Sequence, residues 1–164
     1  MKKITLILTA AILTACLFSV TAFKTMPPPG PSANGQGSLI FDGRFQHFSF
    51  HANTDNNGNV TGSFELKSPA QDVRLHGSIT CLRVRTDGKT AFMSGQITHR
   101  DGNGFPGEYQ VGEYVYFQVQ DNGEGSNAAS DKFSDVYSSG GSQVCISNLI
   151  GLQNIETGNI QVKK

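Results

Sequence analysis

The chain has 164 residues, 13 Lys plus Arg against 13 Asp plus Glu, 19 Gly and no Trp. That length accommodates one domain, and a charged fraction of 16% with so much Gly excludes a coiled coil and a self-repelling disordered chain. A formal net charge of zero argues against nucleic acid as a partner.

Residues 1–22 read as a bacterial-type secretory signal peptide. Met1-Lys2-Lys3 is a basic head, and Ile4 to Val20 is an almost unbroken apolar run of 17 residues, short for a membrane span. Val20-Thr21-Ala22 offers the small residues a signal peptidase needs, giving a mature start at Phe23. Leu13-Thr14-Ala15-Cys16 competes as a lipobox, in which Cys16 would carry lipid. The apolar Leu17-Phe18-Ser19-Val20 after it, where a polar tether is usual, favours simple cleavage; an uncleaved anchor ranks third. The expected location is secreted or periplasmic, with a lipid anchor through Cys16 as the alternative. Cleavage would leave 142 residues with 11 basic and 13 acidic side chains, a net of −2, since Lys2 and Lys3 leave with the signal.

Residues 23–37 are rich in Pro and Gly and read as a spacer, so the folded domain is expected over 38–164. From there, short β-rich runs alternate with turn residues. Ser38–Phe41 meets Asp42-Gly43, and Arg44–Ala52 meets Asp55-Asn56-Asn57-Gly58. Asn59–Lys67 stops before Pro69, Asp72–Arg85 at Asp87-Gly88, and Lys89–Arg100 at Asp101-Gly102-Asn103-Gly104. Glu113–Gln120 ends at Asp121-Asn122-Gly123, and Gln143–Asn148 and Asn159–Lys163 close the chain. The stretch 124–141, rich in Ser, Asn, Ala and Gly, reads as a cap over one end. Asp-Gly and Asn-Gly tolerate positive φ, so neighbouring runs should pair as antiparallel hairpins. The spacing predicts an all-β domain: an antiparallel up-and-down barrel of about eight strands, with a two-sheet β-sandwich as the alternative.

Once Cys16 is discarded or lipidated, Cys81 and Cys145 remain as a pair. In an oxidising compartment they are expected to form a disulfide, closing a loop of about 65 residues with about 4 kcal/mol of stabilisation in the chain-entropy model. The alternative is two buried thiols. Neither lies in a CxxC or beside a His, so a structural role is expected.

His47-Phe48-Ser49-Phe50-His51-Ala52, Val119-Gln120-Asp121-Asn122-Gly123-Glu124-Gly125-Ser126 and the closing Gly158-Asn159-Ile160-Gln161-Val162-Lys163 carry a resemblance. Over roughly Ala33 to the C-terminus the chain resembles uncharacterised small exported bacterial β-rich proteins, similar to the β-rich modules found after choice-of-anchor domains. The resemblance implies location and fold, and it brings no reaction or ligand with it.

His47, Ser49 and His51 share one face of a strand, opposite Phe48 and Phe50. They face solvent if the phenylalanines fill the core. If the barrel is polar inside, they line a lumen with His76 or His99, where imidazoles could bind a metal or move a proton. Asp121, Glu124, Asn127, Asp131 and Asp135 form the densest oxygen-ligand stretch, and Asp121, Glu124 and Asp131 are the calcium candidates against a plain polar turn. No EF-hand spacing occurs: after Asp55-Asn56-Asn57-Gly58-Asn59, Leu66 stands where Glu is needed. Catalytic motifs are absent: no GxSxG, HExxH, Walker loop or GxGxxG. Glu65 and Glu113 are candidates for an acid/base pair, and Tyr109, Tyr114 and Tyr116 for sugar stacking. Arg74, Arg83, Arg85 and Lys89 are the one local basic group.

These features predict an exported, monomeric, non-catalytic β-domain acting as a binding or structural module at the cell envelope. Its partner would be a small molecule, a glycan or an envelope protein, with no cofactor beyond the calcium candidate. The alternative is a small barrel enzyme or ligand carrier whose lumen is lined by His47, Ser49 and His51.

Overall fold

The computed structural model describes residues 30–125, 127–145 and 150–164. The signal peptide, Cys16, the spacer up to residue 29 and part of the strand expected over Gln143–Asn148 lie outside them. Within them run β1 (Ser32–Phe41), β2 (Arg44–Thr54), β3 (Val60–Ser68), a 3-10 turn (Pro69–Gln71), β4 (Val73–Val84) and β5 (Thr90–Asp101). β6 (Tyr114–Gln120), β7 (Lys132–Ser134), β8 (Tyr137–Gly140), β9 (Leu152–Asn154) and β10 (Thr157–Lys163) follow. All pair antiparallel in one sheet of order β10-β1-β2-β3-β4-β5-β6-β7-β9, with β8 also beside β6.

The protein is all-β, as predicted, but the sheet is a strongly curled half-barrel and not a closed eight-stranded barrel. The single sheet also excludes the two-sheet sandwich. Curling lets one face pack on itself. Phe48 of β2 stacks on Phe133 of β7 at 4.3 Å between centroids, and Phe50 meets Phe117 of β6 edge-on at 5.7 Å. Leu39, Leu75, Met93, Ile97 and Ile160 complete this core. The inward set is the apolar alternation legible in the sequence.

β1 begins at Ser32, so residues 32–37 belong to the sheet and not to the spacer. The glycines that suggested a spacer fit there for a packing reason. A Cβ on Gly35 would stand 2.7 Å from the Phe50 ring and 2.9 Å from the Ile160 side chain, so neighbouring side chains fill the volume Gly35 leaves. The 124–141 cap contains β7 and β8, and Gln143–Cys145, expected as strand, is not strand. Ser32 pairs with Lys163, so the first and last strands lie side by side.

The ladder stops short of closure because side chains take the hydrogen-bonding groups that another strand would use. Gln118 N–H of β6 donates to Ser134 Oγ at 2.8 Å, and Ser134 Oγ donates to the Asp135 carbonyl, so β7 leaves the ladder after three residues. On the free edge of β10, Ile160 N–H donates to Asp131 Oδ2 at 2.7 Å and Val162 N–H to Asp121 Oδ2 at 2.9 Å. Carboxylates thus cover an edge that would otherwise invite strand addition. Only Ile155 and Glu156 separate β9 from β10, so one extended run serves both edges of the sheet.

Cys81 and Cys145 form the expected disulfide, joining β4 to the segment that follows β8. It lies on the sheet face away from the phenylalanine core, where Phe92 stacks on Tyr116 at 5.9 Å and Tyr116 on Tyr137 at 5.5 Å. β5 is buried on both faces over its first six residues as a result.

Candidate functional site at the mouth of the half-barrel

Three connections gather at one end of the half-barrel: the β1–β2 turn, the 3-10 turn between β3 and β4, and the loop from β5 to β6. With Asp135 and Val136 they surround a cavity of about 290 Å3. Its apolar wall includes Phe41, Leu66, Val73, Leu75, Phe105 and Val136. Its polar lining includes Arg44, Gln46, Ser68, Gln71, Tyr109 and Asp135. The volume lies at the lower edge of the roughly 300–1,000 Å3 common for small-molecule sites.

The backbone around this cavity is held away from its easy conformations. Among the described residues, the non-glycine residues with positive φ are Asp42 (49°), Asp72 (49°), Phe105 (51°) and Tyr109 (54°). Three of them line the cavity, and Asp72 lies between its wall residues Gln71 and Val73. Asp tolerates this region, but a bulky aromatic does not, and such residues cost on the order of 1–3 kcal/mol each. Local bonds hold the strained segments. Asn103 N–H donates to Asp72 Oδ2 at 3.0 Å, and Tyr109 Oη donates to the Val136 carbonyl at 2.9 Å. Phe105 and Tyr109 meet edge-on at 5.5 Å.

Asp135 is the buried-side carboxylate of the site. Its Oδ1 accepts the Val136 N–H at 2.8 Å, and among the described residues no cation lies within ion-pair distance of it. Burial pushes its carboxyl above the usual carboxylate range, opposed by the Val136 N–H and by the Arg44 charge. Burial, then the Asp135 and Glu108 charges, pushes Tyr109 up to about 12, so the phenol stays protonated.

The sign of the Asp135 effect follows from linkage. A carboxyl raised on folding weakens the fold while ionised, and this cost is full at neutral pH. It fades as pH falls through the folded value and is gone below the unfolded value near 3.8. Asp135→Asn should therefore stabilise the protein at pH 7, modestly because the group is partly screened by solvent. The gain should vanish near pH 3.5. Urea unfolding of both proteins across that range checks it, and equal stability at pH 7 would contradict it.

The structure disperses most of the residues singled out from sequence. His47, Ser49 and His51 are exposed on the outer face, because Phe48 and Phe50 fill the core. His51 and Ser49 border a shallow outer groove with Asn34, Gln36 and Asn159, and His47 reaches the rim of the mouth cavity. His76 and His99 share that outer face at 5.9 Å between centroids, with Glu65 3.7 Å from His76 and Asp101 3.1 Å from His99. Glu65 binds Arg74 at 2.8 Å, while Glu113 lies beyond β4 and β5 and accepts from Gln110 N–H, so the two glutamates form no pair. Arg83 donates to Cys145 Sγ at the disulfide, away from Arg74. Of the three tyrosines, Tyr109 alone enters the cavity.

The calcium candidates gather at the β10 edge. Asp131 Oδ1 accepts Asn122 N–H at 2.8 Å, in addition to the Ile160 bond. Asp121 Oδ1 accepts Gly123 N–H, and Glu124 Oε1 accepts the Asn159 and Gln161 side-chain amides. Among the described residues, no group of three or more His, Cys, Asp or Glu is placed to hold a metal ion, and no helix is long and apolar enough to cross a membrane. Sequence reasoning missed the mouth because Phe105, Tyr109 and Asp135 stand singly in loops, with no periodic or motif spacing.

Comparison with protein-family models gave no match, and neither did comparison with curated proteins or with solved structures.

Proposed function

We propose that the protein is an exported, non-catalytic binding module of the cell envelope whose ligand seat is the mouth of the half-barrel. The observation that carries the reading is the concentration of strained backbone around one cavity: Asp42, Phe105 and Tyr109 line it and Asp72 flanks it. Strain of this kind persists where a site depends on it. An apolar wall with a few polar groups is the usual makeup of a small-molecule seat. The export half of the reading rests on the basic head, apolar run and cleavage pattern of residues 1–22, and on the resemblance to exported β-rich proteins. The non-catalytic half draws on Ser68, the aliphatic hydroxyl among the described residues of the cavity wall. It donates to Gln71 Oε1 at 2.7 Å and so is not paired with a base.

The neutral fluorescent probe N-phenyl-1-naphthylamine tests the seat. Saturable binding with a blue-shifted emission is expected for the wild-type protein. Val73→Trp, which places an indole in the cavity, should abolish that binding while the circular dichroism spectrum stays unchanged. Binding that survives Val73→Trp would move the seat elsewhere, and no binding to the wild type would overturn the reading.

A further inference from the structure

The mouth cavity joins an apolar wall to a carboxylate with no cation within ion-pair distance among the described residues, and we infer that it takes a small cationic amphiphile, an ammonium group on an apolar body, with the ammonium on Asp135. The inference rests on the binding reading above and adds the ligand class.

The groups around Asp135 decide the class. Oδ1 has one backbone donor, and Oδ2 has none among the described residues. Arg44, from β2, acts on it through space, but the Arg44 guanidinium lies 3.9 Å from Asp42 Oδ2 across the β1–β2 turn. Tyr109 spends its hydroxyl proton on the Val136 carbonyl, so it does not donate to the carboxylate. Tyr137, on β8, adds no positive charge. A half-buried carboxylate beside an apolar hollow is thus left under-compensated. An ammonium supplies both charge and hydrogen-bond donors, and its apolar body covers Leu66, Val73, Leu75 and Phe105. A carboxylate ligand would instead set like charges together, and Lys67 at the rim is exposed to solvent, which weakens its pull.

The outer face offers a competing surface in its ordered rows of His, Asn, Gln and Ser. Its grooves are shallow, and no buried carboxylate lines them.

Displacement of N-phenyl-1-naphthylamine by 4-phenylbutylamine, 4-phenylbutanol and 4-phenylbutyrate at pH 7 is the test, with calorimetry of each compound alongside. The amine should bind about tenfold or more tightly than the alcohol, and the acid most weakly, as expected for one charge-assisted contact. Asp135→Asn should bring amine and alcohol to the same affinity, and an amine preference that survives it would overturn the inference. Probe binding with equal or preferred binding of the acid would overturn the ammonium inference and leave the seat standing. Absence of all binding, by fluorescence and calorimetry, would overturn both.

Discussion

Asp131→Ala should lower the unfolding free energy by about 3–5 kcal/mol, a large part of what a domain of this size has. The side chain is only 6% exposed, and both its oxygens are committed. Oδ1 holds the Asn122 N–H at 2.8 Å and Oδ2 the buried Ile160 N–H at 2.7 Å. Its own carbonyl takes the Ile155 N–H at 2.9 Å, at the link between β9 and β10. Truncation leaves two backbone donors without acceptors, one of them out of reach of water, and each was bound to a charged group. Asparagine is no rescue, since its amide would set a donor against a donor at one of the two places. Asp121→Ala should cost less, about 1–2 kcal/mol, because Asp121 is half-buried and Val162 N–H sits nearer solvent. Urea unfolding of the three proteins measures the order. A loss below 1 kcal/mol for Asp131→Ala would show that the β10 edge is held by other contacts.

Reduction of the disulfide, or the double substitution Cys81→Ala with Cys145→Ala, should cost about 4 kcal/mol. The bond spans a sequence separation of 64, and a loop that long removes much freedom from the unfolded chain. The effect resides mainly in the unfolded state, so the urea m-value should rise on reduction as that state expands. Cys81 is 3% exposed, so the substituted protein also loses some packing and should fall slightly below the reduced wild type. Unchanged midpoints with and without reductant would contradict the entropic account.

The central strands were legible because their inward residues alternate and their turns are written in Asp, Asn and Gly. Arg44 as the start of β2, Gln120 as the end of β6 and Lys163 as the end of β10 all coincide with the residues read from sequence. β1 was half missed, since the bulk that fills its inner face at Gly35 belongs to Phe50 and Ile160, and no local pattern reveals a partner's volume. β7 and β9 have three residues each, too few for any period to show. The oxygen-rich stretch around Asp121 and Asp131 was noticed for its density of acceptors, but sequence does not say what they accept. Here it is the backbone of β10. Asp135 was one carboxylate among several until the fold set it beside an apolar wall.

The pairing of Ser32 with Lys163 also determines how the domain is presented. From β1 to β6 each strand reverses the one before it, so their connections alternate between the two ends. The β1–β2, β3–β4 and β5–β6 connections form the mouth, while Ser32 and Lys163 lie with the β2–β3 turn at the opposite end. Whatever the chain carries before Ser32 therefore enters at the pole farthest from the cavity. A domain held by that pole points its opening away from the point of attachment. The same proximity makes a circular permutant, joined from Lys164 to Ser32 and opened at the exposed Asn57-Gly58 turn, a geometrically natural relative of this chain.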